Sequence, residues 1–285
     1  MTVFQSILLG IVQGLTEFLP ISSSGHLIIF QSLLKLSDTS RYLLFDIVLH
    51  VGTLISICIV FWKDIKSITV EFFKLLIGCF DKNSRKNIKS DIKSMNNSKK
   101  LLYLLVVATV PLIFVVFIKK YVDALFSSLL LVGFMLILTS IILFLTDKLI
   151  DSRKNFSNMS YLDALITGIF QLFAVIPGIS RSGSTIFGAV LCGLKREIAV
   201  KFSMLMSIMA VLGALVGTIK DLFSSSANTL IAYVPITSYL TGFLVSAITG
   251  VFAIRFLIKL ISNRKLKYFA VYCLIVGIVV IIFHN

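Results

Sequence analysis

Two short polar stretches interrupt an otherwise apolar chain. One reads Gln13-Gly14-Leu15-Thr16-Glu17-Phe18-Leu19-Pro20-Ile21-Ser22-Ser23-Ser24-Gly25-His26, the other Pro177-Gly178-Ile179-Ser180-Arg181-Ser182-Gly183-Ser184-Thr185. Both lie between apolar runs in a chain of 285 residues that is 58% hydrophobic. An ionisable side chain at bilayer depth costs roughly 3 kcal/mol or more, so such residues usually mark a working site. Together the stretches supply a carboxylate, an imidazole, a guanidinium and a run of hydroxyls. That set suits binding and cleaving a phosphate ester or anhydride.

Each residue also has a plainer use. The Pro177-Gly178 step breaks one helix and Ser180 starts another, so free N–H groups and the positive end of a helix dipole face the break. Arg181 can grip phosphate with a planar fork, and Ser180, Ser182 and Thr185 add neutral donors beside Gly178 and Gly183. Alternatively Ser180 only caps the helix and Arg181 snorkels to the headgroups. Gln13 and Glu17 are four apart and share a helix face. Glu17 can ligate a hard divalent cation, orient a base, hold a proton, or pair with Arg181 for structure alone. His26 follows Ser22-Ser23-Ser24-Gly25 and can serve as general base, general acid or nucleophile. Ser23 is an alternative nucleophile, with His26 as its base. His50, beside Gly52-Thr53, fits either a supporting part of the site or helix packing, and His284 has no expected role.

The elements that must position these residues are membrane helices. A mean hydropathy of +1.01 with 14% charged residues is not a soluble composition, and runs long enough to cross a bilayer recur. No segment reads as a separate soluble domain, so 1–285 is expected to form a single integral membrane domain. The first basic residue is Lys35, which leaves no cationic flank for a secretory signal peptide. Part of the net charge of +14 comes from two clusters: seven basic residues from Lys82 to Lys100, and Lys259, Arg264, Lys265 and Lys267. Such clusters beside apolar spans fit cytoplasmic loops and anionic lipid headgroups, and no nucleic-acid motif accompanies them. The four cysteines form no C-x-x-C pair and read as small apolar residues. No P-loop, HExxH or GxSxG motif is present.

An internal repeat organises the chain. Residues 10–27 laid on 168–185 without gaps match at Gly10/Gly168, Ile11/Ile169, Gln13/Gln171, Ile21/Ile179, Ser22/Ser180, Ser24/Ser182 and Gly25/Gly183. Phe45 and Lys63-Asp64 correspond to Phe202 and Lys220-Asp221. Halves of about 1–146 and 160–285 each carry three expected spans: 43–62, 101–118 and 124–146, then 199–219, 235–258 and 268–283. The segments 3–18, 22–34, 161–176 and 184–194 are too short to cross and read as two re-entrant helix pairs. Three crossings per half invert the second half. The expected fold is thus an all-α polytopic membrane protein, an inverted repeat with its site at broken helices near the midplane. The basic loop 81–100, residues 147–160, the Lys195-Arg196 turn and 259–267 are expected inside, with both termini outside. Residues 66–80 are expected to lie in the interface, and Lys119-Lys120 falls on the outer side against the charge bias.

At these residues the chain resembles the bacterial undecaprenyl-diphosphatases of the bacitracin-resistance type (UppP/BacA). Gln13-x-x-x-Glu17 is similar to the family's (E/Q)xxxE motif, Pro177-Gly178-x-Ser180-Arg181-Ser182-x-x-Thr185 to its PGxSRSxxT motif, and Ser22-Ser23-x-Gly25-His26 to its serine-histidine segment. The resemblance extends over essentially the whole chain. It implies hydrolysis of undecaprenyl diphosphate to undecaprenyl phosphate and inorganic phosphate, which recycles the lipid carrier of cell-wall synthesis and bears on bacitracin resistance through that substrate. It also implies a divalent metal, Mg2+ or Ca2+, and a bacterial plasma-membrane site open to the outer face. On matching positions Glu17 becomes a metal or phosphate-site carboxylate, with Gln13 as a second oxygen ligand where many relatives carry Glu. Ser22, Ser23 and His26 become catalytic, while Arg181, Ser180, Ser182 and Thr185 hold the diphosphate. The rival reading is an inverted-repeat transporter or flippase for a phosphate-bearing lipid, which has no need of the Glu17/His26 pair. A homo-oligomer is compatible with the sequence, which specifies no stoichiometry.

Overall fold

The computed structural model describes residues 1–36, 39–80, 97–150, 153–224, 234–262 and 265–284. Most of the expected basic loop, 81–96, and Arg264 lie outside the described residues. Apart from one backbone bridge between Lys154 and Leu194, the described chain is helix and connection.

Helix α1 (Val3–Phe18) starts on a capping box between Thr2 and Gln5 and stops before Pro20. A proline cannot continue the helical ladder, because it lacks the N–H and its ring crowds the preceding turn. Then come α2 (Ser23–Leu33), α3 (Thr39–Val60) and α4 (Trp62–Phe80). Helix α5 (Asn97–Thr109) runs through a 3-10 turn at Pro111 into α6 (Ile113–Leu125). Helix α7 (Leu129–Lys148) is capped by Ser128. The second half contains α8 (Tyr161–Phe173), α9 (Arg181–Leu191), α10 (Arg196–Ser224), α11 (Ile236–Ser262) and α12 (Leu266–Ile282).

Among the described residues, five stretches are long and apolar enough to cross a membrane: Tyr42–Val60, Asn97–Leu125, Leu129–Lys148, Arg196–Gly217 and Ile236–Ile261. They correspond to five of the six expected spans. The sixth is the 17-residue α12, about 25 Å long at 1.5 Å per residue. Two boundaries differ from the hydropathy reading. The second span continues past Pro111 and Lys119-Lys120 to Leu125, and the third begins at Leu129. Caps and backbone hydrogen bonds set a helix end, whereas hydropathy locates only its apolar middle.

The ends of the helices group in two places. Lys154 N donates to Gly193 O and Lys195 N to Lys154 O. Arg196 binds the carbonyls of Thr146 and Leu149 and pairs with Asp147, which also accepts from Lys267 N. Lys100 reaches Ser157 O, and Lys201 pairs with Asp64 at 2.7 Å. The termini of α4, α5, α7, α8, α9, α10 and α12 therefore meet at one basic end. Elsewhere Leu9, Leu36, Phe45, Val234 and Tyr239 share one apolar cluster, and Ser6 bonds Thr241 at 2.7 Å. That cluster gathers the start of α1, the end of α2 and the start of α11.

Gly10 and Gly168 allow close helix packing. A Cβ on Gly10 would lie 3.0 Å from Gly242 O of α11, and one on Gly168 would collide with Ala108 O of α5. Helix α7 packs along α12 across Gly133 and Gly277.

Candidate active site

The break after α1 and the break before α9 meet inside the helix bundle. Each has a serine as N-cap: Ser22 accepts from Gly25 N at 3.3 Å and Ser180 from Gly183 N at 3.1 Å. The chain reverses differently in the two. Before α9 the left-handed residue is Gly178, with φ 94°. A Cβ there would lie 2.7 Å from both Met135 Cβ and Val132 O, so glycine is required by conformation and by space. Thr139 of α7 donates to Gly178 O at 2.9 Å and accepts from Ser180 N at 3.0 Å, which holds the break open. Before α2 the left-handed residue is Ser22, with φ 71°. A built Cβ on Gly25 lies 3.3 Å from Gly178 Cα, so the two breaks touch.

Glu17 is the hub. Gln13 Nε2 donates to its Oε2 at 3.0 Å and Ser23 Oγ donates to the same atom at 2.7 Å. Arg181 pairs with Oε1 from the other break and also donates to Ser207 O of α10 at 3.3 Å. The Glu17 side chain is 4% exposed and that of Arg181 20%, so this is a buried charge pair with one side open. His50 of α3 approaches Oε2 through Nε2 at 3.7 Å, and its Nδ1 bonds Asp46 O. Thr185 bonds Ser203 of α10 at 2.6 Å, and Ser182 and Ser180 are buried with their hydroxyls 3.3 Å apart. Gln13, Glu17, Ser23 and Arg181 thus form one connected network, with Ser180, Ser182, Thr185, Gly178 and Gly183 lining or shaping it.

His26 is placed differently. Its Nδ1 bonds the carbonyl of Ser22 at 2.7 Å and its Nε2 bonds the hydroxyl of Tyr272 at 2.8 Å. Among the described residues no hydrogen bond joins it to Glu17, Ser23 or Arg181, and the Ser23 hydroxyl turns to the carboxylate. His26 and Ser23 nonetheless share the first turn of α2, at the edge of the network. Neither Tyr272 nor the approach of His50 to Glu17 was indicated by the motifs. The sequence offers His50 as a candidate support of the site, whereas Tyr272 on its largely apolar helix carries no such signal and only the helix packing brings it there.

No three His, Cys, Asp or Glu side chains converge to hold a metal among the described residues. The oxygens at hand are the Glu17 carboxylate, already shared with Gln13, Ser23 and Arg181, and Gln13 Oε1, a buried atom with no hydrogen-bond partner among the described residues. Oxygen donors of this kind fit a hard cation that also takes phosphate oxygens.

Residues 6–279 match the family model described as "Bacitracin resistance protein BacA". The chain is 43% identical over 284 residues to an undecaprenyl-diphosphatase of Alkaliphilus metalliredigens, covering 99% of each chain. It is 40% identical over 283 residues to one of Halothermothrix orenii, covering 99% of this chain and 98% of the relative. An undecaprenyl-diphosphatase of Desulforapulum autotrophicum is 38% identical over 283 residues, with the same coverage.

Proposed function

Because the chain belongs to the bacitracin resistance protein BacA family, we propose that it hydrolyses undecaprenyl diphosphate to undecaprenyl phosphate and inorganic phosphate at the Glu17–Arg181 site. One observation carries this reading: a carboxylate from one helix break and a guanidinium from the other meet, buried, between membrane-length helices. Neither charge is stable there alone, and an entering diphosphate gives Arg181 a second anionic partner. Arg181 and the start of α9 bind the phosphate oxygens. The net reaction adds water across the bond between the terminal phosphorus and the bridging oxygen. Ser23 and His26, on one turn of α2, are the groups placed to attack or to move protons. Where Ser23 attacks, Glu17 takes its proton, undecaprenyl phosphate leaves and water then releases the phosphate from Ser23; where water attacks directly, His26 takes the water's proton. Glu17 and Gln13 would hold Mg2+ or Ca2+, which when bound offsets the charge on the phosphate oxygens.

The repeat and the contacts support an inverted arrangement. Both ends of the α8–α9 pair join the basic end, and both ends of α1–α2 join the opposite cluster, so each pair enters and returns on one side. With the basic end in the cytoplasm, the α1–α2 pair opens to the outer face of a bacterial plasma membrane. The chain then forms a single membrane domain with halves of about 1–146 and 160–285.

The test is phosphate release from undecaprenyl diphosphate by the purified protein in detergent, with and without EDTA. Metal-dependent release is expected. Binding of the lipid without release would favour the flippase reading, which needs only the anion site.

A further inference from the structure

We propose that Tyr272 of α12 is a positioning residue for His26: its hydroxyl fixes the imidazole with the reactive lone pair on Nε2. The inference rests on the reading above that His26 takes part in the reaction. A carbonyl oxygen can only accept, so the 2.7 Å contact with Ser22 O puts the ring proton on Nδ1. Nε2 of the neutral ring then carries the lone pair, and the Tyr272 O–H donates to it at 2.8 Å. The two rings lie 12° from parallel with centroids 5.6 Å apart, so the phenol also fixes the ring plane. His26 is 2% exposed whereas Tyr272 is 41% exposed. The tyrosine therefore extends from the buried nitrogen to the surface of the bundle, next to Cys273, whose thiol faces the Pro20 carbonyl of the same break.

Whether His26 attacks phosphorus or takes a proton, it must act through Nε2, because Ser22 occupies the other nitrogen. Tyr272 sits on that atom. With the tautomer set by Ser22, Tyr272 orients the ring and its Nε2 lone pair in the resting protein and yields its place when a phosphate arrives, while Arg181 and the start of α9 grip the substrate elsewhere. Losing the hydroxyl should therefore slow turnover and leave substrate binding nearly intact.

The experiment combines kinetics with nitrogen-15 NMR of histidine-labelled protein in detergent. The chain has three histidines, and the His26 signals are those missing from His26→Asn. In the parent protein His26 should show the Nδ1–H tautomer. In Tyr272→Phe, which keeps the ring, the His26 Nε2 resonance should move while those of His50 and His284 stay. Its kcat should fall about tenfold, the size expected for one hydrogen bond, with KM changed less than twofold. A parent His26 protonated on Nε2 alone overturns the proposal without reference to any variant. So does an unmoved Nε2 resonance or an unchanged kcat in Tyr272→Phe. Full activity in His26→Asn would instead remove the reading on which the proposal rests, and the resonance shift would distinguish that case.

Discussion

Laid over one another, the break at 13–26 and the break at 171–184 share their scaffold and differ in their chemistry. Gln13 matches Gln171, Ser22 matches Ser180, and Gly25 matches Gly183. Both serines cap the helix that follows. Where the first break has Glu17 the second has Val175, where the first has Ser23 the second has Arg181, and where the first has His26 the second has Ser184. One backbone device thus presents a carboxylate from one half and a guanidinium from the other. The reversals differ for a covalent reason. Pro20 stands where Gly178 stands, and proline holds φ near −65°. The left-handed residue therefore moves from the glycine position to Ser22. The glutamines differ too: Gln13 binds Glu17, whereas both polar atoms of Gln171 are buried without a partner among the described residues. The capping serines and glycines recur in the two breaks, and the charged side chains do not.

The sharpest way to break the comparison is to neutralise one charge. Glu17→Ala or Arg181→Ala leaves its partner buried and unpaired, at a cost of about 3–5 kcal/mol. Each should abolish phosphate release and lower the melting temperature in detergent. The double variant should recover much of the melting temperature and none of the activity. Recovery of activity would show that the pair is structural only.

The next effect separates the two ionisable groups of the first break. Glu17→Gln removes the charge that would hold a cation, so its residual activity should rise as Mg2+ or Ca2+ is raised. His26→Ala should stay inactive at every metal concentration while still binding lipid, because Arg181 and the start of α9 remain. Metal rescue of His26→Ala and not of Glu17→Gln would reverse the two roles.

A smaller difference is expected between the reversals. Gly178→Ala places a Cβ against Met135 and Val132 at a positive φ, and should lower stability by roughly 1–3 kcal/mol. Pro20→Ala should cost less. Equal melting temperatures for the two would contradict the account of the breaks. The smallest effect belongs to Gln171→Leu, which removes two unpaired buried atoms and should leave melting unchanged or raised. Gln13→Leu should lose activity. A large loss of activity in Gln171→Leu would show that the second glutamine works too.

Much of the cluster around Glu17 and Arg181 was legible because its residues occur in runs. Ser180-Arg181-Ser182 and Ser22-Ser23-Ser24 stand out against apolar neighbours, and the repeat brings Glu17 and Arg181 to equivalent breaks. Five spans were legible from hydropathy. Their limits were less so, since Ser128 caps α7 and α6 carries Lys119-Lys120 inside a continuous helix. The contacts of His50 and Tyr272 were not legible. Each depends on how α3 or α12 is rotated about its axis, and α12 has no polar stripe to announce a face. Only packing, such as that of Gly277 against α7, fixes that rotation.

If Arg181 holds the diphosphate, it does so by its geometry and not by its charge alone. Arg181→Lys keeps the charge and loses the planar fork. Steady-state hydrolysis of undecaprenyl diphosphate by purified Arg181→Lys, with a melting temperature near that of the parent, tests this directly. Loss of most of the turnover is predicted. Turnover close to that of the parent would contradict the account and remove Arg181 from the site.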